Sequence, residues 1–124
     1  MEPDKYLEKT IKIVKQFFKT QKEFRGSFTQ TYDDQHMVDF IITFKVTKFD
    51  IHRIKGDDYC RYEGNFYVDI DEVLIGIEET DSWETTEMYD LPSYVEDDLI
   101  QDISHELYQI IPFVCMDGIV NKED

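Results

Sequence analysis

Residues 37–55 read MVDFIITFKVTKFDIHRIK, and the period of that run decides the fold. Val38, Phe40, Ile42, Phe44 and Val46 alternate with Asp39, Thr43, Lys45 and Thr47, the two-residue period of a strand with one apolar face. Phe49 and Ile51 then carry the apolar character at the opposite parity. A one-residue slip would turn every later side chain to the wrong face, so the run implies a bulge near Thr47-Lys48 within one long strand.

Working outward, Gly56-Asp57-Asp58 is a turn sequence and a second strand is expected from Tyr59. Cys60, Tyr62, Phe66, Val68 and Ile70 fall on one face of it, with Gly64 in the same series, which makes an antiparallel hairpin with the first run. Asp71-Glu72 is expected to turn the chain into a further short strand containing Val73, Ile75 and Ile77. Upstream, Arg25-Gly26 reads as a break, followed by a short strand over Ser27 to Tyr32 that ends at Asp33-Asp34-Gln35. Helices flank the sheet. Leu7, Ile11, Val14 and Phe18 recur at helical steps between residue 4 and about 23, with Asp4 as the expected N-cap. Val95, Leu99, Ile103, Leu107 and Ile110-Ile111 repeat the pattern after Leu91-Pro92-Ser93, where Ser93 and Glu96 have capping-box spacing, and Pro112 should end that helix. A short apolar run, Phe113 to Met116, follows. The expected fold is therefore α+β: an N-terminal helix, an antiparallel sheet of three to four strands, and a C-terminal helix packed on the sheet, forming a single domain over residues 1–124.

Charge is distributed unevenly. The net formal charge is −15, yet residues 1–61 hold twelve bases and ten acids, whereas residues 62–124 hold eighteen acids and one base, Lys122. An apolar content of 41% is enough for a packed core, so these acids are expected on the surface of a folded domain. Lys5, Lys9, Lys12, Lys15, Lys19 and Lys22 make the first helix basic, but the field of the whole chain repels phosphate, so direct nucleic-acid binding is not expected. The start, Met1-Glu2-Pro3-Asp4-Lys5, lacks the basic flank and apolar run of a signal peptide, and no stretch approaches a membrane span. A cytoplasmic protein with no membrane partner is expected. Cys60 and Cys115 would then both be thiols.

Catalytic patterns are missing. Asp98, Asp102, His105 and Glu106, with Asp69 and Asp71, are the nearest approach to a hard-cation site, but there is no calcium loop, no His-Glu-x-x-His and no matching Glu-x-x-His on another helix. Ser104 and His105 are adjacent and would point apart on a helix, and neither cysteine has a partner at a diagnostic spacing. The isolated glycines form no phosphate-binding loop. No cofactor, metal site or catalytic residue is assigned.

The remaining signal is acidity combined with aromatic residues. Asp98, Asp102 and Glu106 lie four residues apart, about 6 Å per step along a helix at roughly 1.5 Å rise per residue, of the order of the separation between neighbouring phosphates on one nucleic-acid strand. Glu78, Glu79, Asp81, Trp83, Glu84 and Glu87 crowd the segment before the helix, read as a loop or edge hairpin. Aromatic anchors within a charged rim give an interface affinity by desolvation and fast association by steering. These nine residues are the expected contact surface of a non-enzymatic acidic protein that occludes a basic, nucleic-acid-binding protein by mimicking its ligand. Small acidic inhibitors of phages and mobile elements share this composition, as do immunity proteins that neutralise toxins. A structural or adaptor homodimer joined edge to edge and a carboxylate-based metal enzyme are the other readings weighed.

Overall fold

The computed structural model describes residues 2–19, 21–29, 37–55 and 61–121. Chain order is α1 (Glu2–Phe17), β1 (Lys22–Thr29), β2 (Met37–Arg53), β3 (Tyr62–Ile77), β4 (Ser82–Thr86), α2 (Ser93–Ile110) and β5 (Val114–Asn121). The class is α+β, with one helix at each end of an antiparallel meander, as the periodicities require. Strands β1 to β4 are neighbours in chain order, and β5 returns to pair with β3 in parallel. The expected turn at Gly56-Asp57-Asp58, the strand start at Tyr59, the turn at Asp33-Asp34-Gln35 and the C-terminal residues 122–124 lie outside the described residues.

The β2–β3 hairpin slips register twice. Val46 pairs with Val68 and Lys48 with Tyr67, which leaves Thr47 as the extra residue of a bulge, at the position the change of parity requires. Thr43 pairs with Glu72 and Phe44 with Ile70, which leaves Asp71 as a second extra residue, on β3. Asp71-Glu72 is therefore no turn: β3 runs through it, and the bulge moves the apolar face from Tyr62, Phe66 and Val68 to Val73 and Ile75. A parity change has two physical solutions, and here the ladder continues. Both bulges keep the same sheet face apolar, and Phe40, Ile42, Phe44, Phe49, Phe66, Val68 and Val73 are all buried there.

Both helices cover that face. Val95, Leu99, Ile103, Leu107 and Ile111 are buried at four-residue steps on α2, and Val14 and Phe18 from α1 join the same core. Tyr6 stacks on Tyr62 at 4.6 Å between ring centroids, and its hydroxyl donates to the Pro112 carbonyl at 3.2 Å, fixing α1 against the far end of α2. Helix α1 starts before Asp4, which is therefore not its cap, and ends at Phe17, several residues short of expectation, because Lys22 to Phe24 are taken into the ladder with β2. Arg25-Gly26 is likewise no break: Gly26 pairs with Phe40, and a Cβ there would stand 2.7 Å from the Phe40 ring. The cap position of α2 is Pro92, without a side-chain bond, so the Ser93 capping box does not form.

Residues 113–121 differ most from expectation. Phe113 adopts φ 71° and its carbonyl accepts from the N–H of Arg61 at 2.9 Å, which turns the chain out of α2 and docks β5 along the first half of β3. Cys115 on β5 is disulfide-bonded, against the expectation of two thiols; Cys60, the only other cysteine, lies outside the described residues. Gly118 pairs with Phe66, and a Cβ at Gly118 would lie 2.1 Å from that buried ring. At Gly76 the nearest atoms to such a Cβ are at 3.6 Å or more. Gly118→Ala should therefore destabilise the protein by about 2 kcal/mol or more through overpacking. Gly76→Ala should stay within about 0.5 kcal/mol of the parent. Urea unfolding compares them, and equal midpoints would contradict the packing of β5 on Phe66.

Candidate functional site

The acidic surface is built on two elements. Helix α2 buries one stripe, so Asp97, Asp98, Gln101, Asp102, His105 and Glu106 are exposed on the other. Tyr94 and Tyr108, 42% and 48% exposed, stand near the two ends of this face. Tyr94 is held in place, since its hydroxyl oxygen accepts from the Thr29 N–H at the end of β1 at 3.2 Å. Asp98, Gln101, Asp102 and His105 border a shallow hollow against Phe24 of β1, and His105 Nε2 lies 2.9 Å from Gln109 Nε2.

The second group lies on the β3–β4 hairpin. Glu78, Glu79 and Asp81 occupy its turn, with Asp81 at φ 52°, a conformation that a short acidic side chain tolerates. Trp83 pairs with Gly76 and lays its ring over the space a Cβ would fill, so part of its surface is spent covering the sheet, and it stays 48% exposed. Its side chain belongs to the sheet face that carries Ile41, Leu74 and Tyr67, opposite the face the helices cover. Glu84, opposite Ile75, points to the helix side, and Glu87 follows β4 on the way to α2. The sheet thus lies between Trp83 and the Asp98-Asp102-Glu106 stripe, so the nine residues do not make one flat surface.

No three carboxylate, imidazole or thiolate groups converge as metal ligands among the described residues. The acids grouped by sequence are held apart: Asp69 accepts from Asn121 Nδ2 at 2.9 Å on the sheet, far from the α2 stripe. Ion pairs among the described residues are Arg25–Glu23 at 2.7 Å and His52–Glu63 at 3.0 Å, and neither involves the exposed lysines of α1 or the α2 stripe.

One feature escapes any reading of the sequence. On its edge away from β2, β3 pairs with β5 over Tyr62–Asp69 and with β4 over Val73–Ile77. Ile70, Asp71 and Glu72 have no strand on that side among the described residues, and the Asp71 bulge falls in this interval. A cleft of about 510 Å³ opens there, between the end of β5, the segment leaving β4 and the start of α2. The only trace of it in the sequence is the parity change at Asp71, which equally fits a turn. No protein-family model, curated protein or solved structure matches this chain.

Like charges four residues apart on a helix repel one another. Replacing Asp98, Asp102 and Glu106 together by Asn, Asn and Gln should therefore leave the fold intact and raise stability slightly, on the order of 0.5 kcal/mol at low salt, with the gain shrinking in high salt. Thermal unfolding at two ionic strengths measures this. A clear loss of stability would mean that the stripe has a structural role.

Proposed function

We propose that this protein is a non-enzymatic binder of a basic protein, and that the outer face of α2 is the surface that docks. The observation that carries the reading is that no lysine or arginine occurs between Arg61 and Lys122, while α2 exposes Asp97, Asp98, Asp102 and Glu106 between Tyr94 and Tyr108. Steering by such a field accelerates encounter with a positively charged surface, and the two tyrosines offer apolar area at low entropic cost. Seated in a groove that accepts nucleic acid, the carboxylates would stand where phosphates stand, and the target would be blocked by occlusion. An immunity protein would work in the same way on a toxin. The reading includes a cytoplasmic setting, where such targets act, and there the Cys115 disulfide would have to persist against the usual reducing poise.

The test is capture of proteins from a cell lysate at low and high salt, followed by binding kinetics with the partner identified. One basic nucleic-acid-binding protein should be retained at low salt, released at high salt, and displaced by DNA or RNA in competition. Reversing Asp98, Asp102 and Glu106 to Lys should slow association roughly tenfold or more at low salt. Trp83→Ala should leave both rates within about twofold, because Trp83 lies on the other side of the sheet. The opposite pattern, a faster off-rate in Trp83→Ala and no effect of the helix reversals, would move the docking surface to the hairpin. Absence of any salt-sensitive partner would overturn the reading.

A further inference from the structure

We infer that the cleft in the split edge of β3 is a binding site for a lysine or arginine side chain presented by another polypeptide. Its existence follows from topology: β4 and β5 share one edge of β3 and leave Ile70 to Glu72 between them. Its volume, about 510 Å³, lies in the range of sites that enclose a small organic group. The floor is apolar, made by Val73, Leu91 and Val120, each buried in the core. The rim carries the exposed carboxylates of Asp71 and Glu87, and Tyr89, 80% exposed, stands at its lip. No lysine or arginine is among the described lining residues.

An apolar floor beneath a carboxylate rim selects an occupant with the same division. A lysine or arginine side chain has an aliphatic stem that lies along apolar surface and a cationic head that stays with polar partners. The phenol ring of Tyr89 adds a face that attracts such a head. An anion would meet Asp71 and Glu87 with no lysine or arginine among the described lining residues; Lys45 borders the adjoining hollow that shares Asp71. Free polyamines share the cationic chemistry, but the strand edge favours a polypeptide. Ile70 to Glu72 line the cleft and have no neighbouring strand on that edge among the described residues, so the backbone flanking an inserted side chain can pair there. The site stands apart from the α2 stripe, whose hollow lies against Phe24 of β1, and it does not depend on the occlusion reading.

Nitrogen-15-labelled full-length protein is titrated with the blocked peptide acetyl-Ala-Val-Arg-Val-Ala-amide, with its counterpart carrying Gln in place of Arg, and with spermidine. The arginine peptide should give saturable shifts of the backbone amides of Ile70 to Val73, Thr86 to Tyr89 and Val120. The glutamine peptide should bind at least about tenfold more weakly. Glu87→Gln, an exposed position outside the strands, should weaken the arginine peptide by about threefold or more, and Asp71→Asn should add to that loss. The Asp98→Asn/Asp102→Asn protein should bind the peptide as the parent does. Equal binding of the two peptides, shifts confined to α2, or no saturation would overturn the inference. Spermidine binding as tightly as the arginine peptide, with the same shifts, would overturn it in favour of a free-cation site. Each of these failures leaves the α2 reading standing, since that reading is tested separately, with the captured partner.

Discussion

Two extra residues, Thr47 on β2 and Asp71 on β3, keep one face of a long hairpin apolar from end to end. If Thr47 were paired regularly rather than bulged out, Phe49 and Ile51 would point to the open side; regular pairing of Asp71 would do the same to Val73 and Ile75. Each bulge corrects the parity of its own strand, so both helices can close over a single continuous surface. The core residues of α1 and α2 meet a sheet face that would otherwise change sides partway along. The β3 bulge also marks the interval at which the shared edge passes from β5 to β4. The same irregularity that secures the core thereby sets the position of the cleft.

The proposed function rests on what this arrangement leaves outside. Because both helices pack on one face, their outer surfaces are free to carry charge, and they carry opposite charge: exposed lysines on α1 and carboxylates on α2. The acids of α2 could not be accommodated inward, since its buried stripe is occupied by Val95, Leu99, Ile103 and Leu107. Acidity and solvent exposure on this helix are two consequences of one amphipathic pattern. The same pattern frames the carboxylates with the exposed Tyr94 and Tyr108, which is why the proposed docking is placed on α2 rather than on the hairpin.

Much of this was legible in the sequence. Alternation over Val38 to Val46, the parity change at Phe49 and the helical repeat from Val95 to Leu107 depend on local periodicity, and all three appear in the structure where they are expected. Features governed by distant contacts were not legible. Gly26 has the appearance of a break because a glycine in a chain usually marks one, and only the ring of Phe40 shows why a side chain is excluded there. The run after Pro112 became a strand because β3 offered an edge, which no local signal announces. Among the candidate site residues, the Asp98-Asp102-Glu106 stripe followed from helical spacing alone. The grouping of Trp83 with that stripe required knowledge of which sheet face each occupies. The cleft required the pairing of two strands with one edge.

The most direct measurement of the central claim, that the acidic outer face of α2 is a docking surface, is amide hydrogen exchange of the protein alone and with its captured partner bound. Docking through α2 should add protection between Tyr94 and Gln109 and at the adjoining end of β1, with the tip of the β3–β4 hairpin unchanged. Protection confined to that tip and to the open sheet face around Tyr67 and Ile119 would contradict it.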